Sequence, residues 1–220
     1  MNTRLSLPHS ILIMATLFFA GCGPGKKEKT NENYAAASSV PLRTVANEKY
    51  VIDKKESVVT WKCSMVFADK GGHSGFVSIA KGELMIDKDQ LVGGTAEIDM
   101  NTIADEKNRS DNNLIEHLKS VDFFEVEKFP ISAFAITGVA RVSGENINVT
   151  GILNIKGITH MVTFPAEIEV KGGILHANGK VTIDRSKWDV RYGSGKFFDN
   201  LADEAISDDI EFDMKIVAKK

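Results

Sequence analysis

The chain of 220 residues is 43% hydrophobic and 26% charged, an ordinary globular balance that excludes a collagen-like, wholly disordered or multi-spanning membrane protein. Lys and Arg number 27 against 30 Asp and Glu, a formal charge of −3, and no basic cluster is dense enough to neutralise a row of phosphates, so no nucleic-acid partner is expected. The two cysteines, Cys22 and Cys63, can build neither a disulfide framework nor a four-thiolate zinc site.

The N-terminus reads as an export signal. Arg4 supplies the positive charge, and the apolar run Ile11–Ala20 is too short for a membrane-spanning helix of about 20 residues. It ends in Phe19-Ala20-Gly21-Cys22, which resembles a bacterial lipobox, with Phe19 where Leu is more usual; the alternative is a cleaved, soluble secretory protein with a chance cysteine. The expected organisation is a signal at 1–21, a lipid-anchored Cys22 heading a tether over 22–48, and one domain over 49–220. The tether is rich in Lys, Glu, Asn, Ala and Ser, without apolar periodicity, and a flexible chain of this length reaches about 28 Å. The expected location is the bacterial cell envelope, anchored to a membrane and facing the periplasm.

From Val51 onward, apolar residues alternate with polar ones, the pattern of strands with one dry face. Val59, Trp61, Cys63 and Met65 share a face, which makes Cys63 a small buried hydrophobe. Ala96, Ile98 and Met100 follow, then Phe134 and Ile136. Ile147, Val149, Gly151, Leu153 and Ile155 form the next inward row. Val162, Phe164, Ala166, Ile168 and Val170 form another, and Leu175, Ala177, Gly179, Val181 and Ile183 a third. The last strand turns Ile210, Phe212, Met214, Ile216 and Ala218 inward. Turn residues fall between these runs at 87–89, 143–146, 156–157 and 171–173. The expected fold is all-β, with eight or nine antiparallel strands in a closed barrel or a two-sheet sandwich. Glycines inside strands, Gly75, Gly82 and Gly151, favour the barrel, where they would let strands bend at corners.

One helix is predicted over Asp111–Lys119, with Ser110 as N-cap and Leu114, His117 and Leu118 on one face. Phe123, Phe124 and Phe129 follow it, either as a plug at one barrel end or as ordinary core. Asp105, Glu106, Asp111, Asp122 and Glu125 crowd the same connection and read as a solvated acidic face rather than a calcium site. His73, His117, His160 and His176 occur at no metal-ligand spacing, and neither a nucleophile elbow nor a phosphate-binding glycine loop is present.

Several segments recur in a distinctive order. They are Tyr50-Val51-Ile52-Asp53 with Val59-Thr60-Trp61; His73-Ser74-Gly75; Leu114–Ser120 running into Asp122–Val126 and Lys128–Pro130; Gly151–Thr159; Asp184–Trp188; Tyr192–Phe198; and Ile206–Ile210. Through them the chain from Tyr50 to its end resembles the YceI-like polyisoprenoid-binding family, in particular its Bacteroidetes-like lipoprotein members. The resemblance implies an extended antiparallel lipocalin-like barrel with one short capping helix. Its elongated apolar interior would hold a long isoprenoid tail, as of a quinone or polyprenyl compound. It implies no catalytic activity, no catalytic cofactor and no metal; the partners are the isoprenoid lipid and the membrane, and a homodimer is left open. Asn154, where Thr is commoner in the family, and Cys63 are departures from the pattern.

Burying each tail carbon is worth roughly 0.8 kcal/mol, so a forty-carbon tail offers on the order of 30 kcal/mol gross, beyond the affinity ceiling of about 20 kcal/mol. Tunnel shape, rather than polar contacts, should then set selectivity. The candidate lining residues are Trp61, Met65, Ile98, Phe123, Phe124, Phe134, Leu153, Phe164 and Trp188, each of which can also be plain core. The leading reading is a non-catalytic carrier or reservoir of isoprenoid lipid. An envelope-stress interaction module with the lipid as structural filler is the alternative, and an enzyme using His117 or Cys63 is the third.

Overall fold

The alternating runs form nine antiparallel strands in the computed structural model, which describes residues 47–66, 71–106, 112–201 and 204–220. In chain order these are β1 (Glu48–Ile52), β2 (Val58–Met65), β3 (Gly72–Asp87), β4 (Gln90–Asp105), β5 (Ile131–Ser143), β6 (Asn146–Ile155), β7 (Ile158–Lys171), β8 (Ile174–Asp184) and β9 (Ile206–Lys219). A short helix, α1 (Asn112–Lys119), separates β4 from β5. The predicted signal, the tether with Cys22 as far as residue 46, and the residues Ser110 and Asp111 lie outside the described residues, and Glu48, placed in the tether by sequence, opens β1.

Strands β2 and β4 to β9 pair in series, and β3 bonds to both β2 and β4, closing an eight-stranded ring. The ninth strand, β1, pairs with β3 and β9 beyond the start of β2, so β1 and β2 fill one slot of the wall in succession. The fold is a lipocalin-like barrel, and closure removes the unpaired edges that a sandwich would leave. Hairpin chemistry sets the register. Lys88 and Asp89 (φ 50° and 60°), Lys156 and Gly157 (52° and 75°), and Gly172 and Gly173 (60° and 78°) are two-residue connections with positive φ at both positions, the turn whose twist matches that of the flanking strands.

These registers sort the connections into two ends. One end carries the turns at 88–89, 144–145 and 172–173, together with the start of β1 and the C-terminus. The other carries α1, the 156–157 turn and the long connection from β8 to β9. The in-strand glycines act by proximity more than by bending. A Cβ at Gly75 would stand 2.6 Å from the Trp61 ring, and one at Gly151 would overlap the Phe134 ring, so glycine is required where these inward aromatics lie flat on the wall.

Leu118 is buried on the inner side of α1, and Leu114 packs against the core. His117 is held edge-on between Phe123 and Tyr192, with ring centroids 5.0 and 4.5 Å away. The three phenylalanines behind α1 part company. Phe123 and Phe124 face the interior, whereas Phe129 packs outside, under Lys128 and against Gly157. The carboxylates of this connection do not converge: Asp105 is buried beside His73, Glu106 accepts from Ser74, Asp122 meets His117 and Glu125 meets Lys128.

Candidate functional site: an apolar lumen

The inward rows enclose a cavity of about 220 Å³. Apart from Thr95, Ser132, Asn178 and Arg185, every residue lining it is apolar. Period-two alternation explains the uniformity, because each strand sends every second side chain to the same side, and those positions are Val, Ile, Leu, Phe, Ala and Met in nearly every strand.

Seven of the nine candidate residues line this lumen: Trp61, Ile98, Phe123, Phe124, Phe134, Leu153 and Phe164. Phe134 of β5 and Phe164 of β7, the strands on either side of β6, pack together with ring centroids 5.7 Å apart. Met65 and Trp188 are not brought to the lumen. A register shift between Cys63 and Met65 interrupts the alternation of β2 at its last residue, so the inward parity read from Val59 to Cys63 does not extend to Met65. Trp188 belongs to a tight 3-10 turn, Arg185–Trp188, that follows β8 and no longer obeys strand periodicity. Its ring stacks edge-on against His160 and its indole N–H donates to the Leu153 carbonyl at 3.2 Å, leaving it 1% exposed as plain core.

Sequence reasoning missed Arg185. Its side chain is 1% exposed and touches the lumen at the helix end. Nε donates to Ser207 O (2.9 Å), and the terminal nitrogens donate to Val190 O (2.8 Å) and Ile206 O (3.2 Å). The guanidinium also lies over the Phe123 ring at 6.0 Å and 3.7 Å from an Asp208 oxygen. Burial pushes its pKa down, while Cys63, Asp208 and Asp184 oppose the shift. Arg185 therefore ties the long β8–β9 connection to the barrel and closes that end. The only available signal was an arginine opening the segment after a strand, which does not say that the side chain is buried.

Cys63 lines the lumen, and burial raises its thiol pKa. A neutral thiol is a poor nucleophile, and no three potential metal ligands come together among the described residues. In a Cys22→Ala background, we expect iodoacetamide to modify Cys63 at least about tenfold more slowly in the folded domain than in urea, with the rate rising as pH climbs toward the raised pKa. Equal rates would show that Cys63 is accessible to solvent.

The YceI-like domain family matches residues 50–218, almost the whole barrel. The chain belongs to the YceI-like family. Among sequence relatives, a UPF0312 protein of Shewanella denitrificans is 29% identical over 61% of this chain and 70% of its own length. One from Enterobacter is 31% identical over 41% of this chain and 46% of its own length. The chain thus spans less than half the length of the latter relative. Among solved structures, BcnA of Burkholderia cenocepacia superposes with a TM-score of 0.62 at 22% identity, covering 76% of this chain and 99% of BcnA. A polyisoprenoid-binding domain from Saccharophagus degradans reaches 0.56 at 12% identity, over 77% of this chain and 97% of that domain. At these identities the likeness is one of fold, and it places this YceI-like barrel among proteins of the same architecture.

Proposed function

We propose that this YceI-like domain binds, and stores or carries, a long-chain isoprenoid lipid of the quinone or polyprenyl type in the bacterial cell envelope, without converting it. The observation that carries the reading is a lumen walled from end to end by apolar side chains. The polyisoprenoid-binding domain of the same fold supports it. Among the ladders of the eight-stranded ring, the one between β4 and β5, Thr95–Asp99 against Ala135–Ile131, is the shortest.

Native mass spectrometry of gently purified protein tests the reading. A bound lipid of defined mass that exchanges with added isoprenoid supports a carrier; one that never exchanges supports the filler reading; a product mass that grows with time would establish an enzyme. The anchoring half of the proposal rests on Cys22. Cys22→Ala is expected to move the protein from the membrane to the soluble envelope fraction, because multiple acyl chains give the stable attachment that one alone does not. Retention of the variant in the membrane fraction would remove the lipoprotein reading.

A further inference from the structure

At the end opposite α1 the barrel wall has a gap. Strand β4 meets β5 only from Thr95 to Asp99; its first residues, Gln90–Gly94, pair with β3 alone, and β5 from Ile136 to Ser143 pairs with β6 alone. At this end lies a second space of about 340 Å³, lined by residues of β4 to β7 and of the 88–89 and 144–145 turns. Leu91 and Ile147 line both this space and the lumen, so the gap is a mouth of the apolar cavity.

Arg141 stands in that mouth. The register pairs Val139 with Val149 and Arg141 with Ile147, and directly opposed residues of an antiparallel ladder share a face. Arg141 therefore continues the lumen-facing row of Phe134, Ile136 and Val139 at the point where apolar residues give way to solvent. Among the described residues nothing engages its guanidinium in a hydrogen bond or ion pair. The contrast with Arg185 decides the orientation: at the helix end the guanidinium is engaged by three carbonyls, whereas at the mouth five donors are available. Three carboxylates, Asp89, Glu145 and Glu169, share the mouth with Arg141 and Lys171. Their excess opposes a phosphate or diphosphate head.

Resting on the lipid-binding reading, we propose that the mouth between β4 and β5 is the head-group site, where Arg141 donates to an uncharged head bearing acceptor oxygens while the tail runs inward toward Phe123 and Phe124. Glu48, the first residue of β1, lies opposite Ile86 beside the 88–89 turn. The described chain thus enters the barrel at the mouth end.

The test compares three probes with the same twenty-carbon isoprenoid tail: a naphthoquinone, geranylgeranyl phosphate, and the headless hydrocarbon. Dissociation constants are measured for the wild type, Arg141→Gln and Arg141→Lys, each first shown to be folded by circular dichroism. Wild type should prefer the quinone to the phosphate. Arg141→Gln should weaken quinone binding about tenfold while leaving the hydrocarbon within about twofold, and Arg141→Lys should recover part of the loss. Equal effects on quinone and hydrocarbon, no effect on either, or preference for the phosphate would overturn the head-group site while leaving lipid binding intact. Failure of all three probes to bind wild type would overturn the lipid reading itself, and this inference with it.

Discussion

Phe134→Asp is expected to abolish retention of isoprenoid lipid in an otherwise folded barrel. Phe134 faces the lumen from β5, lies flat on Gly151 and packs beside Phe164 of β7. Aspartate at this position would place an unpaired carboxylate against an apolar tail, and such a charge is tolerated only by taking up a proton or drawing in water. Truncating a buried phenylalanine to alanine commonly costs about 3 to 5 kcal/mol, so lost binding has to be separated from lost stability. Because a ligand that binds only the native state raises its stability by mass action, added isoprenoid should raise the melting temperature of the wild type and leave that of Phe134→Asp unchanged. Phe124→Ala, at the α1 end of the same lumen, should show a smaller loss of lipid. Full lipid retention by folded Phe134→Asp would mean that the tail does not pass this part of the lumen.

The second large effect is expected at Arg185. Methionine fills much of the same volume but leaves the carbonyls of Val190, Ile206 and Ser207 without their donor and leaves Asp208 with only Lys196 of its two cationic neighbours. Removing one side of such a buried charged network costs on the order of 3 kcal/mol. Arg185→Met should therefore lower the urea midpoint of the barrel and make the β8–β9 connection an early site of proteolysis. Lysine keeps the charge but cannot direct donors to three separated carbonyls, so Arg185→Lys should recover only a minor part of the loss. Unfolding of Arg185→Met at the wild-type urea concentration would show that the helix end is held closed by packing alone.

The all-β class, the inward rows of β6 to β9, the two-residue turns and the helix with its trailing phenylalanines were legible in the chain itself. Each depends on a local rule: side chains alternate across a strand, positive φ favours particular turn residues, and apolar positions at i, i+3 and i+4 share a helix face. The same locality made Trp61, Phe134, Leu153 and Phe164 recognisable as inward-facing. Tertiary structure decided the rest. The bulge that removes Met65 from the inward row depends on how β2 meets β9, and the choice of barrel over sandwich depends on β3 pairing with both β2 and β4. The three-phenylalanine segment was ambiguous because a plug and a core read alike in one dimension; closure of the barrel sent Phe123 and Phe124 inward and Phe129 out. The two arginines show the limit most clearly. In sequence, Arg141 and Arg185 are both cations next to strand residues, and only non-local contacts distinguish them: three backbone carbonyls converge on one at the closed end, and the short β4–β5 ladder leaves the other free in the mouth of the lumen.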